Sequence, residues 1–288
     1  MGCRDRGCDP EPDASLCRRT TVSPRFAVTP NELVLPVQAI LRSAGQLILA
    51  AEKGGFAIEK KSDKNYVTEI DLAVQKQIVD QLEKLTPDYA IMAEEEDLDD
   101  PVRDRPVWIL DPVDGTTNLM RHNQHSAISL ALADGDELVL GFVYNPFLDE
   151  LFTAVRGQGV RLNEREVRTS AVTHLKDSLV SFGTNPYQRQ AAHETFARVE
   201  RVFLASLEVR RSGVAALDLA YVACGRYDGF FEERLQPWDF AAGLLMVQEA
   251  GGSVCNWQGL PVDVHHPDSL FATNGKIQDE LFSLVCKD

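Results

Sequence analysis

The segment of this 288-residue chain best suited to chemistry is Trp108-Ile-Leu-Asp111-Pro-Val-Asp114-Gly-Thr116-Thr-Asn118, where an apolar run ends in two aspartates, a glycine and two threonines. Aspartates three residues apart across a proline-containing turn can point at one place. Charged oxygen ligands of that kind suit Mg²⁺, whose remaining positions are filled by water and substrate phosphate. Gly115 and Thr116 would then offer backbone N–H groups where a helix can begin, a favourable place for phosphate. Taken alone, the same residues form a turn equally well.

Other acidic positions occur in similarly specific settings. Asp71 stands three residues after Thr68, as in a capping box. Glu94 and Glu95 follow the apolar run Ala90–Ala93, and Asp239 follows Trp238 at the start of a small-residue helix. Each has a bland alternative: a carboxylate suits any helix N-terminus, and a charge run is usually a solvated loop. As a set they favour function over structure.

Four motifs in this order resemble the inositol monophosphatase family. They are Val67-Thr68-Glu69-Ile70-Asp71, the strand ending in Ala93-Glu94-Glu95, the segment Trp108 to Asn118, and Trp238-Asp239 with Glu249-Ala-Gly-Gly252; the likeness runs from about Leu35 to the C-terminus. The resemblance implies a magnesium-dependent, lithium-sensitive phosphatase. In it Glu94 and Asp111 hold one ion together with the backbone carbonyl of Val113, while Asp111 bridges to a second ion completed by Asp114 and Asp239. A third, weaker ion at Glu94 stays open. Asp71 and Thr116 would orient the nucleophilic water, with Glu95 close by, and no phosphoenzyme is required. Metal assistance is physically apt, because a phosphate monoester dianion repels hydroxide and has a poor alkoxide leaving group.

By the same resemblance, Asp114, Gly115, Thr116 and Asp239 touch the substrate, the loop Gly213, Val214, Ala215 lies along a sugar or inositol ring, and Glu232 bonds its hydroxyls. For Glu232 a second reading stays open, in which Phe230-Phe231 is a buried strand and the next residue emerges into water. Inositol 1-phosphate is the favoured substrate; fructose 1,6-bisphosphate, histidinol phosphate and 3′-phosphoadenosine 5′-phosphate are alternatives on the same scaffold, and a non-catalytic regulatory scaffold is the alternative of another class. Members of the family are usually homodimers. The sequence departs from the family at the polar stretch Arg121-His122-Asn123-Gln124-His125, read as an exposed loop, and at Val214, where threonine is common.

The elements that must position these residues follow from periodicity. Val37, Ile40, Leu41, Ala44, Ile48 and Ala51 predict a helix ending at Gly54-Gly55, and Ile70, Val74, Ile78, Leu82 and Leu85 a second one ending before Pro87. Runs over 90–93 and 107–110 read as strands, and 127–133, 138–144 and 150–155 as an antiparallel meander. Beyond Ser178–Phe182, helices near 191–204, 213–224, 239–250 and 276–286 alternate with strands near 228–232, 253–257 and 269–273. The fold class is α/β, by resemblance a layered α-β-α-β-α sandwich, with a disordered tail over 1–28 and one domain in two lobes, about 29–175 and 176–288. Lys60 to Asn65 reads as a polar loop.

Bulk composition limits the partners. A net charge of −15, from 29 basic and 44 acidic side chains, provides no broad positive field for nucleic acid. No apolar run approaches the ~18–20 residues that cross a bilayer, so the sequence reads as a cytoplasmic protein with no membrane partner. The six cysteines include no CxxC pair and read as reduced thiols. The partner expected is a small-molecule phosphate ester.

Overall fold

A long helix, α1 (Pro30–Gly54), opens the part of the chain described by the computed structural model, which comprises residues 28–54, 58–60, 66–95, 103–184 and 189–286. The expected N-terminal tail, the loop over 61–65, and Glu96 and Asp97 of the acidic run lie outside the described residues. After α1 come β1 (Ile58–Lys60), β2 (Tyr66–Thr68), α2 (Glu69–Leu85), β3 (Ala90–Ala93), β4 (Val107–Asp114), α3 (Thr116–Met120), β5 (Ala127–Asp134), β6 (Glu137–Asn145), β7 (Glu150–Val155), β8 (Gly159–Leu162) and β9 (Arg165–Val167). The second half contributes β10 (Leu179–Phe182), α4 (Ala192–Ala205), β11 (Glu208–Arg210), α5 (Ala215–Ala223), β12 (Gly229–Leu235), α6 (Pro237–Glu249), β13 (Ser253–Cys255), β14 (Asp268–Thr273) and α7 (Gln278–Val285).

The strands form a seven-stranded sheet in the order β3-β4-β5-β6-β7-β8-β9 and a five-stranded sheet in the order β11-β10-β12-β14-β13, besides the small β1-β2 pair. The expected meander is present, with β5, β6 and β7 antiparallel in sequence order. Side-chain alternation along each strand sorts residues into layers. On β4, Trp108 and Leu110 join Leu33, Val37 and Ile48 of α1 and Val74, Ile78 and Leu82 of α2, whereas Val107 and Ile109 join the cluster built from α5 and α6. On β12, Phe230 faces that same α5/α6 layer and Phe231 packs with Val199 and Val202 of α4 and Leu281 of α7. Two helices thus cover each outer face and two lie between the sheets, as the α-β-α-β-α expectation has it.

Burial on both faces explains why β4 reads Val-Trp-Ile-Leu without alternation. Trp108 is fully buried, and its indole N–H donates to Thr86 Oγ1 at 3.0 Å, so the one polar atom it carries inward is satisfied. Among the described helices α1 is the one long and apolar enough to cross a membrane by composition, which the run-length reading did not register. Its stripe Leu33, Val37, Ile40, Leu41, Ala44 and Ile48 is buried in the protein core against α2 and the seven-stranded sheet.

Candidate active site

A break in a strand brings the two aspartates of β4 together. Asp111 pairs with Ser129 and Asp114 with Ala127, so β4 holds one residue more than β5 between those pairs, as in a β-bulge. Pro112 has no N–H for the ladder, and the Val113 N–H turns back to donate to Asp111 Oδ1 at 2.9 Å. The strand expected to stop at Leu110 therefore continues to Asp114, with the predicted turn absorbed as a bulge. Strand β3 runs parallel beside it, and the Glu94 N–H donates to the Leu110 carbonyl at 3.1 Å, which sets Glu94 beside Asp111. Glu95 follows, its N–H donating to Gln75 Oε1 at 3.2 Å.

The start of α2 meets the same place. The Thr68 N–H donates to Asp71 Oδ2 at 2.9 Å, the Thr68 hydroxyl donates to the same oxygen, and the Ile70 N–H donates to Thr68 Oγ1 at 3.2 Å, closing the predicted capping box. The other oxygen of Asp71 accepts from the Thr116 hydroxyl at 3.0 Å; the Val113 carbonyl is a competing acceptor at 3.2 Å for that single proton. Two motifs 45 positions apart are joined by this contact. Gly115 connects them to α3 with φ 92°, and a Cβ there would stand 2.8 Å from Val214 Cγ2, so both backbone and space require glycine.

Residues from the second half close the site. The Ala216 N–H, in the first turn of α5, donates to Asp114 Oδ2 at 2.7 Å, and Asn118 Nδ2 donates to the Ser212 carbonyl at 3.1 Å, so the loop through Gly213, Val214 and Ala215 lies against the bulge. At the start of α6 the Gln236 N–H donates to Asp239 Oδ2 at 2.7 Å. Ser129, the cross-strand partner of Asp111, donates its hydroxyl to the Trp238 carbonyl at 3.0 Å and pins that helix start to β5.

Glu232 does not emerge into water. Strand β12 continues past it to Leu235, its side chain is 9% exposed, and its carboxyl lies over the Cα of Gly183, so closely that a Cβ there would fall 1.6 Å from Oε2.

Electrostatics mark the cluster as one system. Burial pushes the Asp111 carboxyl well above the usual range, and Glu94, Asp114 and Asp239 push it further. Burial lifts Asp114 to about 8 with Glu94 and Asp218 adding to it, against the Ala216 N–H and Arg211. Asp239 also rises to about 8, through burial and then Asp114. Glu232 rises through burial and then Asp239, while burial of Asp71 outweighs the bonds from Thr68 and Thr116. Among the described residues no three Asp, Glu, His or Cys side chains are gathered closely enough to enclose an ion. The like charges stand apart, and Asp111, Asp114 and Asp239 each have one oxygen held by a backbone N–H. Acidic oxygens that repel one another, without sulfur or imidazole among them, fit a hard divalent cation such as Mg²⁺.

Residues 31–288 match the sequence model of the inositol monophosphatase family. The chain belongs to that family. It is 38% identical over 251 residues to a protein of Xylella fastidiosa named Nus factor SuhB, covering 85% of this chain and 90% of that one. The Thermotoga maritima IMPase structure superposes with a TM-score of 0.80 at 35% identity, covering 88% of this chain and 96% of that one. A structure of the IMPase SaIMPase-II with inositol monophosphate bound superposes with a TM-score of 0.74 at 27% identity, covering 87% of this chain and 92% of that one.

This inositol monophosphatase fold also gathers residues that motif reading missed. Gly183, Arg211 and Asp218 border the acids and Thr184 accepts from Arg211, yet no local pattern marks them; a strand end, a neighbouring loop and a helix face are joined only by the tertiary fold. His125 is a correction. Read as part of an exposed loop, it is half-buried and packs 6.4 Å from the Tyr221 ring, because left-handed backbone at His122 and Gln124 turns the chain inward. His122 does stay exposed, 3.1 Å from Glu52.

Proposed function

We propose that this protein hydrolyses a phosphate monoester of a small polyol, with inositol 1-phosphate among its substrates, in a magnesium-dependent reaction without a phosphoenzyme. The observation that carries the reading is the Thr116–Asp71 hydrogen bond beside the bulge, since it sets a hydroxyl and a carboxylate together next to four further acids. Asp111, Asp114, Asp239 and Glu94, with the Val113 carbonyl, would hold two Mg²⁺ ions, a third at Glu94 remaining optional. Bound Mg²⁺ supplies acidified water and neutralises charge on the ester oxygens. Asp71 and Thr116 orient the attacking water, and Asp71, its pKa raised by burial, accepts its proton. The Gly115 and Thr116 amides grip the phosphoryl oxygens. Glu232, buried against Gly183, accepts hydrogen bonds from the polyol hydroxyls. The inositol monophosphate bound to SaIMPase-II supports this substrate class. A homodimer in the cytoplasm is the accompanying expectation.

The test is phosphate release from inositol 1-phosphate with Mg²⁺, with EDTA and with added Li⁺. Release that needs Mg²⁺, falls with Li⁺, and disappears in a folded Asp111→Asn variant supports the reading. The name Nus factor, carried by a relative that covers most of the chain, favours a second reading in which the fold serves binding without catalysis. Absence of release from inositol 1-phosphate, fructose 1,6-bisphosphate, histidinol phosphate and 3′-phosphoadenosine 5′-phosphate alike would select it.

A further inference from the structure

Behind the loop that lies against the bulge stands a carboxyl for which the packing of its own helix gives no reason. All nine residues of α5 are buried, and Asp218 is 1% exposed in a helix otherwise made of Ala, Leu, Tyr and Val. Its Oδ2 accepts from the Ser212 hydroxyl at 2.8 Å, while Oδ1 is buried and, among the described residues, has no hydrogen-bond partner. Enclosing a carboxyl that is only half satisfied costs stability.

A carboxylate in the first turn of a helix ordinarily serves the free N–H groups there. Those of α5 are taken elsewhere. The Ala216 N–H donates to Asp114 Oδ2 at 2.7 Å, and the N–H of Val214, the N-cap, donates to Ser212 Oγ at 3.0 Å. Asp218 reaches past the helix start to Ser212, whose single hydroxyl proton has the Val214 carbonyl, at 3.4 Å, as its longer alternative acceptor. With its proton given to Asp218, Ser212 Oγ turns a lone pair to the Val214 N–H and closes a tight turn around Gly213, which adopts φ 80°. The Ser212 carbonyl accepts from Asn118 Nδ2 at 3.1 Å, so the turn is also tied to α3. What the turn carries is part of the site: Val214 Cγ2 fills the space over Gly115, and the Ala216 N–H holds Asp114.

We propose that Asp218 is a positioning residue, which by holding Ser212 fixes the Gly213 turn and the first turn of α5 against Gly115 and Asp114. The proposal rests on the phosphatase reading above and deepens it: the loop along the ester's ring and the acid that holds an ion are set in place by one buried carboxyl that acts through Ser212.

The test uses Asp218→Ala and Ser212→Ala, which remove either end of the bond, with Asp218→Asn and Ser212→Thr, which keep an acceptor and a hydroxyl there. Ser212 is half-buried in a loop, so its two variants should fold even if Asp218→Ala does not. In metal-free protein, backbone hydrogen exchange across residues 212–218 should quicken about tenfold in the alanine variants, with α1 unchanged, and stay near wild type in Ser212→Thr. With inositol 1-phosphate and Mg²⁺, KM should rise about fivefold or more in each alanine variant, by a larger factor than kcat falls, and the double variant should be no worse than either single one. The two conservative variants should stay within about twofold of wild type. Unchanged exchange over 212–218, faster exchange throughout the chain, additive losses in the double variant, or a Ser212→Thr variant as impaired as Ser212→Ala would each overturn the proposal. No phosphate release by the wild type would sink the phosphatase reading instead, and the exchange comparison would then decide the hold on Ser212 independently.

Discussion

Gly183→Ala should damage polyol recognition while sparing the metal side of the site. Gly183 lies outside the left-handed region, so alanine suits its backbone, and the obstruction is one side chain. The new Cβ would fall 1.6 Å from Glu232 Oε2, 2.1 Å from Cδ and 2.7 Å from Oε1. Van der Waals contact needs about 3.5 Å, so the carboxyl has to move by about 2 Å. The carboxyl is the far end of a flexible side chain, so the strain is relieved by rotation. Stability should fall by no more than about 1–3 kcal/mol, partly offset by the lower entropy of the unfolded alanine chain. A hydrogen bond to a charged group contributes about 1.5–3 kcal/mol, which corresponds to roughly a 10- to 100-fold loss in kcat/KM once the carboxyl is displaced. Steady-state phosphate release from inositol 1-phosphate, beside p-nitrophenyl phosphate, which has no hydroxyls to read, is the assay. The loss should appear with the polyol ester as a raised KM, with Mg²⁺ affinity within a few-fold of wild type. A variant with both esters unaffected would refute the placement of Glu232 in recognition, and one with both equally reduced would move its role to the metal side.

Glu232→Gln should likewise raise KM for the polyol ester more than it lowers kcat; an unchanged KM would remove Glu232 from recognition. Asp114, Asp218 and Asp239 are pushed by burial to about 8 from the ordinary 3.8, so the folded protein binds more protons than the unfolded chain in that window and metal-free stability should fall as pH rises through it. Melting temperatures from pH 5 to 8.5 test this, and the gain from added Mg²⁺ should be larger at pH 8 than at pH 6; a flat profile would contradict it. Thr68→Val should cost about 1 kcal/mol through loss of the α2 cap, seen as a Tm lower by a few degrees, and a greater loss of kcat because Asp71 loses a partner. Gly243→Ala would put a Cβ 2.4 Å from Leu219 Cβ, wedging α6 from α5, and should weaken Mg²⁺ binding in calorimetry together with a Tm drop of several degrees.

Much of the acid cluster was legible because its residues sit at the ends of patterned elements: Asp71 in a capping box, Glu94 after a strand, Asp239 in the first turn of a helix. The bulge was harder, since a proline after an apolar run reads as an ending and only the pairing with Ser129 and Ala127 shows that the strand continues. The three-residue β11 and β9 and the four-residue β8 were missed because segments so short give the alternation rule little to count. The burial of Glu232 had no local signal at all; it depends on the bare Cα of Gly183, 49 positions earlier, just past the end of the parallel neighbouring strand β10.

The site is assembled from both sheets, and that arrangement explains its tie to the packing of the middle layer. Asp111 and Asp114 belong to the seven-stranded sheet, while Glu232 belongs to the five-stranded one. What holds the two halves at one spacing is α5 and α6, through the Ala216 bond to Asp114 and the Ser129 bond to Trp238. Glycine at Gly141 and Gly243 permits the close approach, since a Cβ would stand 2.8 Å from the Ala242 carbonyl oxygen and 2.4 Å from Leu219 Cβ respectively. On the proposed function, small residues in this layer would act on catalysis at a distance, because enlarging them would separate the acids of the bulge from Glu232. Such variants should lose discrimination between esters before they lose the fold, because Asp111 and Asp239 keep the N–H bonds from Val113 and Gln236 within their own segments.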